Sequence, residues 1–122
     1  MHHRQHADVG ATAAYIAAQE GQVDTVRLLA ELGANVETPA DDGWTPAYIA
    51  AREGHVEVVR VLAELGANVE TPTNDGATPA YIAAQEGHVE AVRVLAELGA
   101  NVETPTNIGL TPACVADRKS VV

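Results

Sequence analysis

The side chains that most often do chemistry in proteins are few in this sequence. Cys114 is the only thiol, and a nucleophile needs a base within hydrogen-bond reach and a third group to orient that base. The chain has no HExxH or CxxC motif and no glycine-rich phosphate loop. The sequence therefore predicts a protein that is not an enzyme, with no catalytic residue, no cofactor and no bound metal.

Carboxylates recur at regular intervals instead. Two series advance in steps of 33 residues: Glu20, Glu53, Glu86 and Glu31, Glu64, Glu97. Paired carboxylates can serve as acid and base, but only in a sheltered cleft. A solvated stripe on the surface of stacked units explains the spacing better. Arginines at the same period should neutralise part of the second series: Arg27, Arg60 and Arg93.

Histidines cluster at the N-terminus, where residues 1–8 include His2, His3 and His6. A His-rich tract can bind metal. Since no cysteine or carboxylate pattern completes a site, we favour a disordered lead-in or a leftover expression sequence for residues 1–8.

Composition and charge narrow the partners. The chain has 122 residues, which fits one domain, and its formal net charge is −10. Such a charge repels nucleic acid and anionic membrane surfaces, and it favours a basic protein partner. A lone cysteine excludes an intramolecular disulfide and suits a reducing compartment. With no membrane-length apolar run and no signal-peptide core, we expect an intracellular, cytoplasmic protein.

The chain is organised as a repeat. The segment 42–74 recurs at 75–107 with three changes in 33 positions: Trp44 to Ala77, Arg52 to Gln85 and Val58 to Ala91. A looser copy occupies 9–41, and a partial copy follows at 108–122. The near identity of the second and third copies indicates recent duplication or a consensus-like design.

Each copy predicts two helices and a turn. Thr45 is a good N-cap and Pro46 suits the first helical position, so a helix should run from Pro46 to about Glu53 and end at Gly54. A second helix should run from Val56 to about Leu65. It is apolar on most of its surface, so only stacked copies can cover it. The segment from 67 onward, rich in Pro, Asn, Asp and Gly, predicts a projecting turn or short hairpin.

These features resemble the ankyrin repeat family. The resemblance rests on the period, on TPAYIAA at 45–51, on Gly54-His55 and on LGAN at 65–68, and it covers roughly residues 9 to 117. It implies an all-α solenoid of stacked helix-turn-helix repeats with projecting β-turns. The full repeats would be 9–41, 42–74 and 75–107, with a partial terminal repeat at 108–122.

Two positions of the repeat have roles that follow from this resemblance. In the family, the histidine of the Gly-His pair serves the turn between helices, which points to His55 and His88. The family's signature histidine is replaced here by Tyr15, Tyr48 and Tyr81, with Cys114 continuing the series. We expect these tyrosines to form an inward packing column, with Cys114 a small buried filler.

Recognition is expected on the turn tips and the exposed face of the first helices, where ankyrin-like proteins contact their partners. Positions that vary between near-identical repeats are the natural candidates, and Trp and Arg are enriched among binding hot spots. Val58 and Ala91 fall inside the second helix and should be packing positions. The predicted partner-binding residues are Asp41, Asp42, Trp44, Arg52, Glu53, Asn74, Asp75, Ala77, Gln85, Glu86 and Leu110. The competing interpretation is that Trp44 lies flat on its own turn and binds nothing.

Two functional hypotheses follow. The first is a non-catalytic protein–protein interaction module that binds a protein partner on its turn tips and first-helix face. The alternative is a structural or self-assembling segment of a longer array. It would form homo-oligomers through an unfinished C-terminal edge, because the partial repeat lacks a second helix.

Overall fold

Six α-helices build the part of the chain that the structure, a computed structural model, describes: residues 5–40 and 43–102, with side chains from residue 13 onward. The helices are α1 (Gln5–Glu20), α2 (Val23–Glu31), α3 (Pro46–Glu53), α4 (Val56–Glu64), α5 (Pro79–Gln85) and α6 (Val89–Glu97). Helices α1, α3 and α5 stack in one layer, and α2, α4 and α6 stack in a second. The predicted all-α solenoid of helix-turn-helix units is confirmed, and no β-strand occurs in the described ranges.

The helix boundaries follow from local sequence. The Thr45 hydroxyl accepts a hydrogen bond from the Tyr48 backbone N–H at 3.1 Å, and Pro46 occupies the first turn of α3. The helix ends at Gly54, whose φ of 78° lies in the left-handed region. These bounds match the prediction. Helix α4 ends at Glu64, one residue before the predicted Leu65.

Helix α1 is longer than its counterparts because its sequence does not restrain the start. It spans 16 residues, against 8 in α3. A proline disfavours the helical conformation in the residue before it, so Pro46 prevents α3 from extending backwards. The equivalent residue in the first unit is Ala13, which imposes no such limit. Helix α1 therefore begins at Gln5, inside the segment 1–8 predicted as a lead-in; the division of the chain into repeats stays a prediction.

Small side chains form the interface between neighbouring units. Ala47, Ala50 and Ala51 of α3 are buried, as are their equivalents on α5, and such short side chains allow helix backbones to approach closely. Tyr48 is buried against the same core, and Tyr15 and Tyr81 pack partly buried against it. Tyr48 thus packs inward as predicted, Tyr15 and Tyr81 do so only in part, and Cys114 lies outside the described ranges.

Histidine side chains connect each unit to the one before it. The His55 Nε2 donates to the Gln19 carbonyl at 3.0 Å, and the His88 Nε2 donates to the Arg52 carbonyl at 3.0 Å. The carbonyls belong to the end of the preceding unit's first helix, where the last C=O groups lack intrahelical partners. The resemblance assigned these histidines to their own turn. Their hydrogen bonds show that they also join units.

Charged side chains form a second set of contacts between units, on the layer of α2, α4 and α6. Arg27 bonds to Glu64 of the next unit at 3.0 Å, and Arg60 lies 3.9 Å from Glu97. The arginines therefore do neutralise part of the second carboxylate series. All four side chains are about half exposed, and such surface pairs typically stabilise by less than about 1 kcal/mol each.

Candidate binding groove

Closed turns project between the units and present their residues ahead of the first helices. The Thr73 N–H donates to the Ala77 carbonyl at 2.8 Å, and the Gly76 N–H donates to the Thr73 carbonyl at 2.9 Å. The preceding turn has the same two bonds: the Ala40 N–H donates to the Trp44 carbonyl at 2.8 Å, and the Gly43 N–H donates to the Ala40 carbonyl at 2.9 Å. Trp44 and Ala77 therefore occupy equivalent places at the base of successive turns.

Three side chains spaced four residues apart form one wall: Trp44, Tyr48 and Arg52. This spacing places them on one face of α3 and the turn before it. The Arg52 guanidinium carbon lies 5.2 Å from the centroid of the Trp44 ring, and the Trp44 and Tyr48 centroids are 4.9 Å apart. Arg52 also bonds to Glu53 at 3.0 Å. The tryptophan is half-buried and fixed between its neighbours, leaving part of its surface accessible.

An open groove of about 460 Å³ separates this wall from the third unit. The opposite side and floor are formed by Thr73, Asp75, Ala77, Tyr81, Ile82, Gln85 and Glu86. At matched positions the third unit has Ala77 and Gln85 where the second unit has Trp44 and Arg52, so its side of the groove carries smaller side chains. The substitution to alanine removes an entire ring from the space between the units.

The structure brings together six of the predicted residues as groove lining: Trp44, Arg52, Asp75, Ala77, Gln85 and Glu86. Ala77 is only 7% exposed and lies at the floor. Glu53 joins the site through Arg52, while Asn74 packs against Gly43 of the preceding turn. Asp41, Asp42 and Leu110 lie outside the described ranges.

Sequence reasoning missed four lining residues: Tyr48, Thr73, Tyr81 and Ile82. The signal for Tyr48 was present, because it falls midway between Trp44 and Arg52 at helical spacing. Thr73 lies in the turn that leads into the next unit, and Tyr81 and Ile82 belong to that unit, so only the stacking of units places these three beside Trp44. Val58 and Ala91 are 1% and 0% exposed, which confirms their predicted packing role.

The groove has an acidic rim. The carboxylates of Asp75 and Glu86 are exposed and form neither a hydrogen bond nor an ion pair within residues 5–40 and 43–102. Among the described residues that line the groove, only Arg52 is cationic. It already contacts the Glu53 carboxylate and the Trp44 ring. The surface is therefore suited to positive charge.

Neither a metal site nor a membrane-spanning helix is found in the part of the chain that the structure describes. No cluster of three or more His, Cys, Asp or Glu side chains is placed to hold a metal ion there. No helix of that part combines the length and apolarity that crossing a membrane requires.

Three stacked helix-turn-helix units with projecting turns define a helical-repeat solenoid with a lateral groove. The chain belongs to the ankyrin repeat family: the family model for ankyrin repeats (3 copies) matches residues 1–73 and 35–106. No curated protein matches the sequence at a significant level. Ankyrin repeats are in general protein–protein interaction modules.

Proposed function

We propose that this chain is a non-catalytic protein-binding module. Its partner lies along the turn tips and first-helix face and enters the groove between Trp44 and Gln85. The observation that carries this proposal is the place of the differences between the second and third repeats. Of the three, two lie on the groove and the third is buried in the core.

The differences between the repeats distinguish positions that stacking requires from positions that are available for recognition. Stacking requires the same caps, alanines and apolar residues in each unit, so those positions repeat. Nothing in the stacking requires Trp44 in one unit and Ala77 in the next. Tryptophan and arginine are also among the residue types most enriched in binding hot spots.

The charge of the molecule selects among partners. With a net charge of −10 and an acidic groove rim, the surface attracts basic proteins and repels nucleic acid. We place this interaction inside the cell, in the cytoplasm, as the lone cysteine suggests.

A selection experiment tests the proposal on the full chain. Peptides displayed as a random library are selected on the wild-type protein, and the enriched binders are titrated against Trp44→Ala/Arg52→Gln and against Val58→Ala. The double variant carries the residues that the third repeat already has, so it is compatible with the fold. Val58→Ala is the matched control, since it makes the third natural change in the core.

We expect the double variant to weaken binding about tenfold or more, as loss of hot-spot residues does. Val58→Ala should leave the affinity within about twofold. If the library yields no binder, or if the binders are indifferent to the double variant, this groove is not the recognition surface.

The alternative, self-association through the C-terminal edge, concerns residues 108–122, which lie outside the described ranges. Molar mass measured by light scattering across a concentration series tests it. A dimer or a growing mass would support it, and a constant mass near 12.7 kDa would contradict it.

A further inference from the structure

We infer that the groove binds an extended segment with two basic side chains four residues apart and an apolar side chain midway between them. This inference rests on the proposed function of the groove and adds the chemistry of its occupant.

The two carboxylates stand at opposite ends of α5. Asp75 lies in the turn before the helix, and Glu86 directly follows its last residue, Gln85. The helix has seven residues, which span about 10 Å at 1.5 Å per residue. Asp75 and Glu86 are therefore too far apart to bind the same cation. Each is free to meet its own basic side chain.

An apolar floor lies between them. Ala77 and Ile82 are buried, so they offer only a small apolar surface, and Tyr81 exposes part of its ring. The opposite wall is aromatic, with Trp44 and Tyr48. An apolar side chain that enters midway would contact this floor and remain clear of the charged ends.

An extended chain matches these positions. It advances about 3.3 Å per residue, and every second side chain points to the same side. Residues i, i+2 and i+4 would thus all face the groove, and the outer two would be about 13 Å apart. That span exceeds the length of α5, as is needed for carboxylates that flank the helix, with Asp75 four residues before Pro79 and Glu86 directly after Gln85.

Arg52 does not oppose this arrangement strongly. Its guanidinium is bonded to Glu53 at 3.0 Å and lies over the Trp44 ring. The Glu53 carboxylate offsets its positive charge, whereas the ring contact only holds the guanidinium in place, so the groove keeps a net negative charge from Asp75 and Glu86.

The test uses a defined probe and matched variants. The probe is a fluorescein-labelled peptide of nine residues with arginine third and seventh, leucine fifth, and serine or glycine elsewhere. A second peptide has the same composition with its two arginines adjacent. Binding to the full chain is measured by fluorescence anisotropy at low salt, where exposed ion pairs contribute most.

The groove variant is Asp75→Asn/Glu86→Gln. Its control is Asp24→Asn/Glu31→Gln, which makes the same change in net charge at two exposed residues of α2, away from the groove. We expect the groove variant to weaken probe binding about tenfold and the control to change it less than about twofold. The adjacent-arginine peptide should bind wild type at least about fivefold more weakly.

Absence of probe binding, equal losses in the two double variants, or equal affinity for the two peptides would each overturn the inference. The proposed function fails separately. If selected peptides depend on Trp44 and Arg52 while the two-arginine probe does not bind, the groove recognises another kind of segment. If no peptide is selected at all, the interaction module itself is in question.

Discussion

His88 shows how one side chain can serve two units. Its Nε2 donates to the Arg52 carbonyl, and its ring packs against Gly54. A Cβ built on Gly54 would lie 2.9 Å from the Nδ1 of His88, and the φ of Gly54 is 78°. Gly54 is therefore required both by its backbone conformation and by the approach of a neighbouring unit.

Gly87, the equivalent glycine one repeat later, allows the cost of the backbone conformation to be measured apart from the cost of the contact with a neighbouring unit. Gly87 has the same φ of 78°, but a Cβ there would meet no atom of the described residues within 4 Å. Both Gly54→Ala and Gly87→Ala should lose about 1 kcal/mol for the left-handed conformation. Gly54→Ala should lose roughly 1 kcal/mol more, because the imidazole must move. Urea unfolding of the two variants measures the difference.

A His88→Ala background supplies the control for this comparison. With the ring removed, the free energies lost at the two glycines should become equal, as in a double-mutant cycle. Unequal losses that persist without His88, or equal losses with it present, would show that the contact does not limit Gly54.

For single residues, the sequence predicted which positions form the patch better than it predicted the contacts between their side chains. Trp44 and Arg52 were identified as one patch because they vary while their repeat stays constant. The stacking of Arg52 on the Trp44 ring was not predictable, since it depends on rotamers. The same holds for the path of His88 to the Arg52 carbonyl, which needs the distance between units.

The residue at which a helix starts can be predicted from sequence, because the capping residues that fix the start are neighbours in the chain. The pair Thr45-Pro46 caps α3 and prevents its backward extension, and Thr78-Pro79 does the same for α5. The early start of α1 was not predicted. There Thr12 is followed by Ala13, so the local sequence leaves the boundary open.

The cap at Thr45 has a measurable contribution. Thr45→Ala removes the acceptor of the Tyr48 N–H and should lower the free energy of unfolding by about 1 kcal/mol, within a range of about 0.5–2. Thr38→Ala is the control, because the Thr38 side chain makes no hydrogen bond within the described ranges and lies outside the helices. It should change stability by less than about 0.5 kcal/mol. Equal losses in urea unfolding would mean that the cap bond is not what stabilises the start of α3.

The groove is a property of the whole molecule. Its two sides come from different repeats, and its width follows from Ala77 and Gln85 facing Trp44 and Arg52 across the stack. The period and the sequence differences indicated where recognition should occur. The groove's volume, and the entry of Tyr81 and Ile82 into its lining, required the position of one unit against the next.

The same stacking predicts unequal costs for one substitution at three equivalent positions. Ile16, Ile49 and Ile82 occur 33 residues apart, yet they are 51%, 1% and 6% exposed. Ile49 and Ile82 are covered by the preceding unit, whereas no described unit precedes Ile16. Leu28 behaves in the same way, being 52% exposed where its equivalent Val61 is 1% exposed.

Substitution by alanine should therefore lower stability by about 2–5 kcal/mol at Ile49 and Ile82, where it creates a cavity. At Ile16 the loss should be below about 1.5 kcal/mol, because half of that side chain is already in water. Chemical denaturation of the three single variants at one protein concentration gives the comparison.

A loss of stability in Ile16→Ala as large as that in Ile49→Ala would contradict the exposure of Ile16 on the first helix. Repeating the measurement at higher concentration would then distinguish the cause: a loss that grows with concentration means that a second copy covers Ile16, since only association makes stability depend on concentration.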